Sequence, residues 1–253
     1  MNITAISVSR KSVWDQCTQL YRYKYHLKIP PPGEEPFYFT YGKLVHKISE
    51  EFVSRKGKTA LGKVALLVLE GKIPIDEKNG KPVFAPSLPA AYKKRLPGHI
   101  DAIAKITKQL GTSGIVEYEF LYDLDPPNKK FVRGFIDRII KKKDNYFILD
   151  YKTSKKKEKS ENNLQMALYS EAILRDAVPG INGNPGNASL HFLRYGDDPL
   201  SSHNFSEDDL EISREKIREV ANGIRTGSFE TKKSDYNCQY CDYKDFICPA
   251  WED

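Results

Sequence analysis

A chain of 253 residues, 40% of them hydrophobic, can bury the core of one large domain or two small ones. No apolar run approaches the roughly 18 residues of a membrane span, and MNITAISVSRKS lacks the basic-then-apolar layout of a secretory leader, so a soluble protein of a reducing compartment is expected. Against 34 Asp and Glu, 40 Lys and Arg leave a net charge of +6, too little for a histone-like polycation but compatible with a polyanionic partner.

In chain order, residues 6–28 read as a helix. Ser7 or Ser9 offers a cap, and Val13, Cys17, Leu20, Tyr21, Lys24 and Tyr25 follow one side. Pro30, Pro31, Pro32 and Gly33 end it. A second helix is predicted from about Thr40 to Arg55, with Leu44, Val45, Ile48 and Phe52 as its apolar stripe. Residues 57–112 mix short helical patterns with breaks at Pro82, Pro86, Pro89 and Pro97, and read as a helical insertion.

From Gly114 the pattern changes to strands. IVEYEFLYDL, FVRGFIDRIIKK and NYFILDYKT predict a three-stranded meander, turning at Asp125-Pro126-Pro127-Asn128 and Lys143-Asp144-Asn145. A helix from about Asn162 to Asp176, a GINGNPGN loop, a strand over ASLHFLRY and a helix from about Glu207 to Thr226 follow. No segment repeats at a fixed period, and no low-complexity linker divides the chain. The expected fold class is α/β. One domain is expected over residues 1–253, with the insertion at 57–112 and a cysteine-bearing subregion made of 1–30 plus 227–253.

Chemistry concentrates in the meander. Asp150 and Lys152 stand two apart at the end of the third strand, so they project from one face. Pairing the second strand with the third brings Asp137 beside them. Two close carboxylates are costly unless something positive sits between them, and hard oxygen donors suit Mg²⁺ or Mn²⁺. A lysine aimed at the same point can orient or help deprotonate a water, or stabilise charge on a phosphate. That is equipment for phosphodiester hydrolysis, although D-x-K alone equally marks a surface salt bridge. Gln165 and Tyr169, four apart on one helix face, present an amide and a phenol suited to phosphate or base. Lysines at 141–143 and at 152, 155, 156, 157 and 159 form two clusters, either a polyanion contact or a solvated loop.

The four cysteines form a single pattern, Cys17 near the start and a C-x2-C-x6-C group of Cys238, Cys241 and Cys248 near the end. Four thiolates suit Zn²⁺ or a [4Fe–4S] cluster, and spacing leaves that choice open. A cluster joining position 17 to 238–248 closes almost the whole chain into a loop and turns metal-binding energy into folding energy.

GFIDR followed by LDYKT resembles the central motifs of RecB-like PD-(D/E)XK nucleases, with Asp as the second acid. Gly42-Lys43-Leu44-Val45-His46 is similar to that family's G-x-x-x-H helix, and Gln165-Met166-Ala167-Leu168-Tyr169 to its Q-x-x-x-Y helix. Glu117, or Glu119 two residues along, resembles its upstream acid. The resemblance implies a PD-(D/E)XK core, a central mixed sheet flanked by helices. It makes Asp137, Asp150, Lys152, Glu117, Gln165 and Tyr169 catalytic, with Mg²⁺ or Mn²⁺ held by His46, Asp137, Asp150 and the Tyr151 carbonyl. DNA would be contacted by Gln165, Tyr169, Lys155, Lys156 and Lys157. One early cysteine plus three late ones also looks like the iron staple of AddB-type and CRISPR-associated RecB-like exonucleases, which tilts the cysteine site toward [4Fe–4S]. Thr18 stands where a proline often follows the first cysteine, and six residues rather than five precede the last. The resemblance implies a deoxyribonuclease, an exonuclease on single strands or duplex ends, in the cytoplasm of a prokaryote or a phage-infected host. Its partners would be DNA and the proteins of a recombination complex. A non-catalytic DNA-binding or assembly subunit that keeps the fold is the alternative, and a zinc-binding structural protein is a third.

Overall fold

Prolines and glycines stand at the limits of several elements, such as Pro36 before Phe37–Ser54 and Pro89 and Gly111 around Ala90–Leu110, and the apolar pattern between limits sets which face is buried. The computed structural model describes residues 5–126, 130–143, 145–181 and 184–251. Pro127, Asn128, Asp144, Asn182 and Gly183, which fall in predicted turns and the predicted loop, lie outside the described residues.

The elements are α1 (Val8–Gln16), α2 (Thr18–Tyr21) running into a π-turn over Arg22–His26, α3 (Phe37–Ser54) and α4 (Leu61–Leu69). A hairpin of β1 (Asp76–Lys78) and β2 (Lys81–Val83), then α5 (Ala90–Leu110), lead to β3 (Ile115–Asp123), β4 (Phe131–Lys142) and β5 (Asn145–Lys152). Next come α6 (Leu164–Leu174), β6 (Pro185–Phe192), β7 (Leu200–His203), α7 (Glu207–Thr226) and α8 (Asp235–Cys238). They fall into two compact units, one of residues 35–120 and 135–206, the other of residues 1–34, 121–134 and 207–253.

A five-stranded sheet runs in the order β3-β4-β5-β6-β7. β4 and β5 pair antiparallel, β5 and β6 parallel, and β6 and β7 antiparallel. The parallel pair needs a crossover, which α6 supplies. The expected mixed sheet flanked by helices is therefore present. Residues 136–140 of β4 and 148–151 of β5 are buried without alternation, as in strands covered on both faces. In the unit of residues 35–120 and 135–206, Tyr41, Leu44, Val45 and Ile48 of α3 share one core with Ile103 and Ile106 of α5 and Leu149 and Tyr151 of β5. α6 is buried from Met166 to Ile173, apolar nearly all round. Gly114 is required at its position. Its φ is +126°, and a Cβ there would stand 2.3 Å from the Ile139 carbonyl oxygen.

Three sequence readings are corrected. The single helix over 6–28 is broken at Cys17, whose backbone is extended. Tertiary pairing overrides periodicity there: Thr18 Oγ1 donates to the Glu230 carbonyl at 3.0 Å and accepts from the Glu230 N–H at 2.7 Å. Pro97 does not break its segment, because α5 runs through it. Leu96, Ile103 and Ile106 bury the helix face on both sides of the proline, and packing outweighs the lost backbone bond. The Pro185-Gly186-Asn187 end of the predicted loop is already strand β6, while β1, β2 and β7, three or four residues each, had carried no readable signal.

Candidate active site

The β4–β5 register pairs Arg138 with Leu149, and one further step along it sets Asp137 opposite Asp150. The ladder ends there, and the Asp137 carboxylate replaces it: Oδ2 accepts the Tyr151 N–H at 2.8 Å. Helix α3 crosses this point and brings His46, with Nδ1 3.2 Å from Asp137 Oδ2 and 3.8 Å from Glu117 Oε1. Donor atoms of His46, Glu117 and Asp137 all lie within 4.8 Å of one another, a group able to hold a metal ion. Glu117 reaches it through an unusual backbone. Its φ of +47° is left-handed, uncommon outside glycine, and interrupts the alternation of β3. Of the two candidate upstream acids the structure therefore brings Glu117 to the site, while Glu119 is exposed.

Asp150 is 1% exposed and Asp137 7%. Lys152 Nζ lies 2.7 Å from Asp150 Oδ2, an ion pair by distance that lacks hydrogen-bond alignment. The same Nζ donates to Gln165 Oε1 at 2.7 Å, and Gln165 Nε2 in turn donates to the Tyr169 hydroxyl. The Gln–Tyr pair predicted on one helix face thus positions the lysine. Tyr169 itself is buried, its ring edge-on to Phe120. Of the predicted DNA-contacting lysines, Lys157 pairs with Asp198, and the backbone carbonyls of Lys155 and Lys156 accept bonds from Tyr195 and Ser154.

The electrostatics describe a crowded anionic site. Burial and the neighbouring Asp137 charge push the Asp150 carboxyl up to about 6, against the pull of Lys152 and His46. Burial raises Asp137 too, but His46, the Tyr151 N–H and Lys152 outweigh it and hold it low. Burial also raises Glu117, opposed by His46. His46 is pushed down by burial, yet Asp137, Glu117 and Asp150 hold it well above its usual range. Three close carboxylates that lean on His46, on Lys152 or on a retained proton are a site suited to a cation.

In the unit of residues 1–34, 121–134 and 207–253, Cys17, Cys238, Cys241 and Cys248 line one recess beside a small core of Leu20, Tyr23 and Tyr243. Burial raises the Cys241 thiol, the Tyr243 N–H opposes this, and the three other cysteines add to it. Lys232, Lys233 and Lys244 line the same recess, charges that suit a thiolate-rich group. The four cysteines read as one pattern in the sequence thus line one recess.

The PD-(D/E)XK nuclease superfamily model matches residues 5–249. The chain belongs to the PD-(D/E)XK nuclease superfamily. Nucleases of this superfamily are metal-dependent, and membership implies DNA as the substrate class. No curated protein matches the chain. Among solved structures, 25 chains match. SSO0001 is 17% identical over 93% of this chain and 96% of that one, with a TM-score of 0.38. Protein VC1899 from Vibrio cholerae is 11% identical over 77% of this chain and 57% of that one, with a TM-score of 0.26. No described helix is long and apolar enough to cross a membrane.

Sequence reasoning placed Glu117 among the catalytic residues and named His46, Asp137, Asp150 and Tyr151 for the metal. The structure groups Glu117 with His46 and Asp137, and sets Asp150 against Lys152. The left-handed turn at Glu117 decides this, and no local pattern announces such a turn.

Proposed function

We propose that this PD-(D/E)XK nuclease is a Mg²⁺- or Mn²⁺-dependent deoxyribonuclease, an exonuclease on single strands or duplex ends, serving recombination, repair or phage DNA metabolism in the cytoplasm. The observation that carries the reading is the meeting of His46, Glu117 and Asp137 donors with Asp150 and Lys152 where the middle of β4 faces the end of β5. The donor set fits a divalent cation, being one imidazole and hard carboxylate oxygens. His46, Asp137 and Asp150 would hold the ion, with Glu117 and the Tyr151 carbonyl completing the set. When bound, it supplies positive charge beside the scissile phosphate and makes water more acidic.

The chain's own residues do the rest. Lys152, fixed between Asp150 and Gln165, orients the attacking water and meets charge developing on phosphate oxygens. Tyr169 holds Gln165, and Gln165 holds the lysine. Lys155, Lys156 and Lys157 lie on an exposed loop just beyond Lys152, where phosphates of a bound strand can be met.

The cysteine recess is assigned a structural [4Fe–4S] cluster. The four cysteines and three lysines of the recess support a thiolate-bound group, and the resemblance of one early and three late cysteines to an iron staple favours iron over zinc.

The test is degradation of 5′- and 3′-labelled single-stranded, duplex and flapped DNA with Mg²⁺ or Mn²⁺, using anaerobically purified protein whose iron, zinc and visible absorption are measured. Cleavage with iron-linked absorption near about 400 nm is expected. Protein inactive on every substrate sinks the enzyme reading and leaves a non-catalytic DNA-binding subunit. Colourless protein with stoichiometric zinc sinks the iron assignment.

A further inference from the structure

A second set of cations lies outside the metal-capable group. Along α5, Lys94, Gly98, Ala102, Lys105 and Gln109 recur every three or four residues, so they share one face. That face forms one wall of an open cleft of about 500 Å³, whose other wall is Leu193, Arg194 and Gly196. A smaller recess, sharing Ala102, Lys105 and Gly196, continues it toward His191, Tyr195 and Pro199.

Four cations, Lys94, Arg95, Lys105 and Arg194, line this cleft against one acid, Asp101. Among the described residues no carboxylate lies within ion-pair distance of any of the four. Two of them hold backbone carbonyls instead. Lys105 Nζ donates to Gly196 at 3.1 Å, and Arg194 Nε donates to Thr153 at 2.7 Å. The field they create is felt inside the wall: burial, Arg194 and Arg95 push His99 down to about 4. The cleft is open beside Gly98, where a Cβ would meet nothing within 4 Å. At the far end, His191 is 2% exposed and its Nδ1 has no hydrogen-bond partner. Tyr195 lines that end as a half-exposed aromatic ring.

The cleft is tied to the catalytic strand. The Leu193 N–H donates to the Lys152 carbonyl at 3.0 Å, and Arg194 bonds the residue after it. Lys94 and Lys105 stand about 16 Å apart along the helix at 1.5 Å per residue, the reach of a few extended nucleotides.

We propose that the cleft between α5 and the segment following β6 binds a single nucleic-acid strand, its phosphates on Lys94, Arg95, Arg194 and Lys105, and a base beside Tyr195 and the unpartnered His191 nitrogen. Cations that track a backbone and an aromatic ring that stacks a base are what single-strand binding requires. The assignment of that strand as the nuclease's own substrate rests on the function proposed above. The binding itself does not.

Fluorescence anisotropy of a labelled oligothymidylate with the full-length holoprotein in EDTA tests the cleft without turnover. Lys94→Glu with Lys105→Glu is expected to weaken binding about tenfold or more and to flatten the log Kd against log salt slope by about 1.4, roughly 0.7 for each lost phosphate contact. The charge-keeping pair Lys94→Arg with Lys105→Arg is expected to retain affinity. Tyr195→Ala is expected to weaken the single strand several-fold and a duplex of equal length hardly at all. Equal loss on both overturns the single-strand assignment. If wild-type protein cleaves DNA but the charge-reversed protein binds with unchanged affinity and slope, the cleft is refuted and the nuclease reading stands. If wild-type protein never cleaves, yet charge reversal still weakens binding, the nuclease reading fails and the cleft stands.

Discussion

The crowding of carboxylates at the candidate site should be measurable as instability. Asp150 is buried, and its carboxyl rises from the ordinary 3.8 to about 6. At about 1.36 kcal/mol per pH unit this corresponds to about 3 kcal/mol. A carboxyl with a raised folded value binds its proton more tightly in the folded chain than in the unfolded one. Its ionisation therefore costs nothing below about pH 4, an increasing amount from about pH 4 to 6, and the full amount above that. Asp150→Asn is close to the protonated acid in shape and removes this cost. In EDTA at pH 8 the variant should be more stable than wild type by about 2–3 kcal/mol, or roughly 5–10 °C in Tm for a chain of this size. At pH 4 the two should melt together. Saturating Mn²⁺ should reverse the ranking, because the ion stabilises only the protein that binds it. Thermal and urea unfolding at the two pH values, with and without metal, provide the measurement. A variant no more stable than wild type at pH 8 in EDTA, or equally stabilised at pH 4, would refute the argument that Asp150 is held ionised against its surroundings.

Other expectations follow from single contacts. Lys152→Ala should lower the initial rate of DNA cleavage by about 100-fold or more, with DNA affinity measured in EDTA nearly unchanged; a rate near wild type would remove the lysine from the mechanism. Glu117→Gln should weaken Mn²⁺ binding, read by calorimetry, by about tenfold or more, whereas Glu119→Gln should leave it unchanged. Gly223→Ala places a Cβ 2.2 Å from the Trp14 ring. Overpacking of that kind costs about 1–3 kcal/mol, so urea unfolding should show a loss despite the better helix propensity of alanine. Cys238→Ser should lower both the iron content and the Tm if the recess holds a cluster joining the two ends of the chain.

Much of the architecture was legible in the residues themselves. Glu207–Thr226 is helical over the predicted span, and the three strands of the meander stand where alternation in the first and apolar, β-branched runs in the other two put them. These are long segments in which periodicity, caps and breakers agree, so local sequence suffices. The paired face of Asp150 and Lys152 was equally readable, because a strand's period of two is geometric. Misreadings fell where distant contacts overrule local preference. Cys17 is extended because Thr18 pairs with Glu230, more than two hundred residues away, and α5 crosses Pro97 because its apolar face is buried.

Sequence by itself determined which residue types were available for chemistry: the acids and lysine of GFIDR and LDYKT, the histidine of α3, the Gln–Tyr pair, and four cysteines. Tertiary structure decided which of them meet. It turned the backbone at Glu117 so that this acid, rather than Glu119, joins His46 and Asp137, and set Lys152 between Asp150 and Gln165. It also laid the cations of α5 across from Arg194. Spacing along a chain fixes only which face a side chain takes. Distances between faces come from packing, which brings together residues from all parts of the chain.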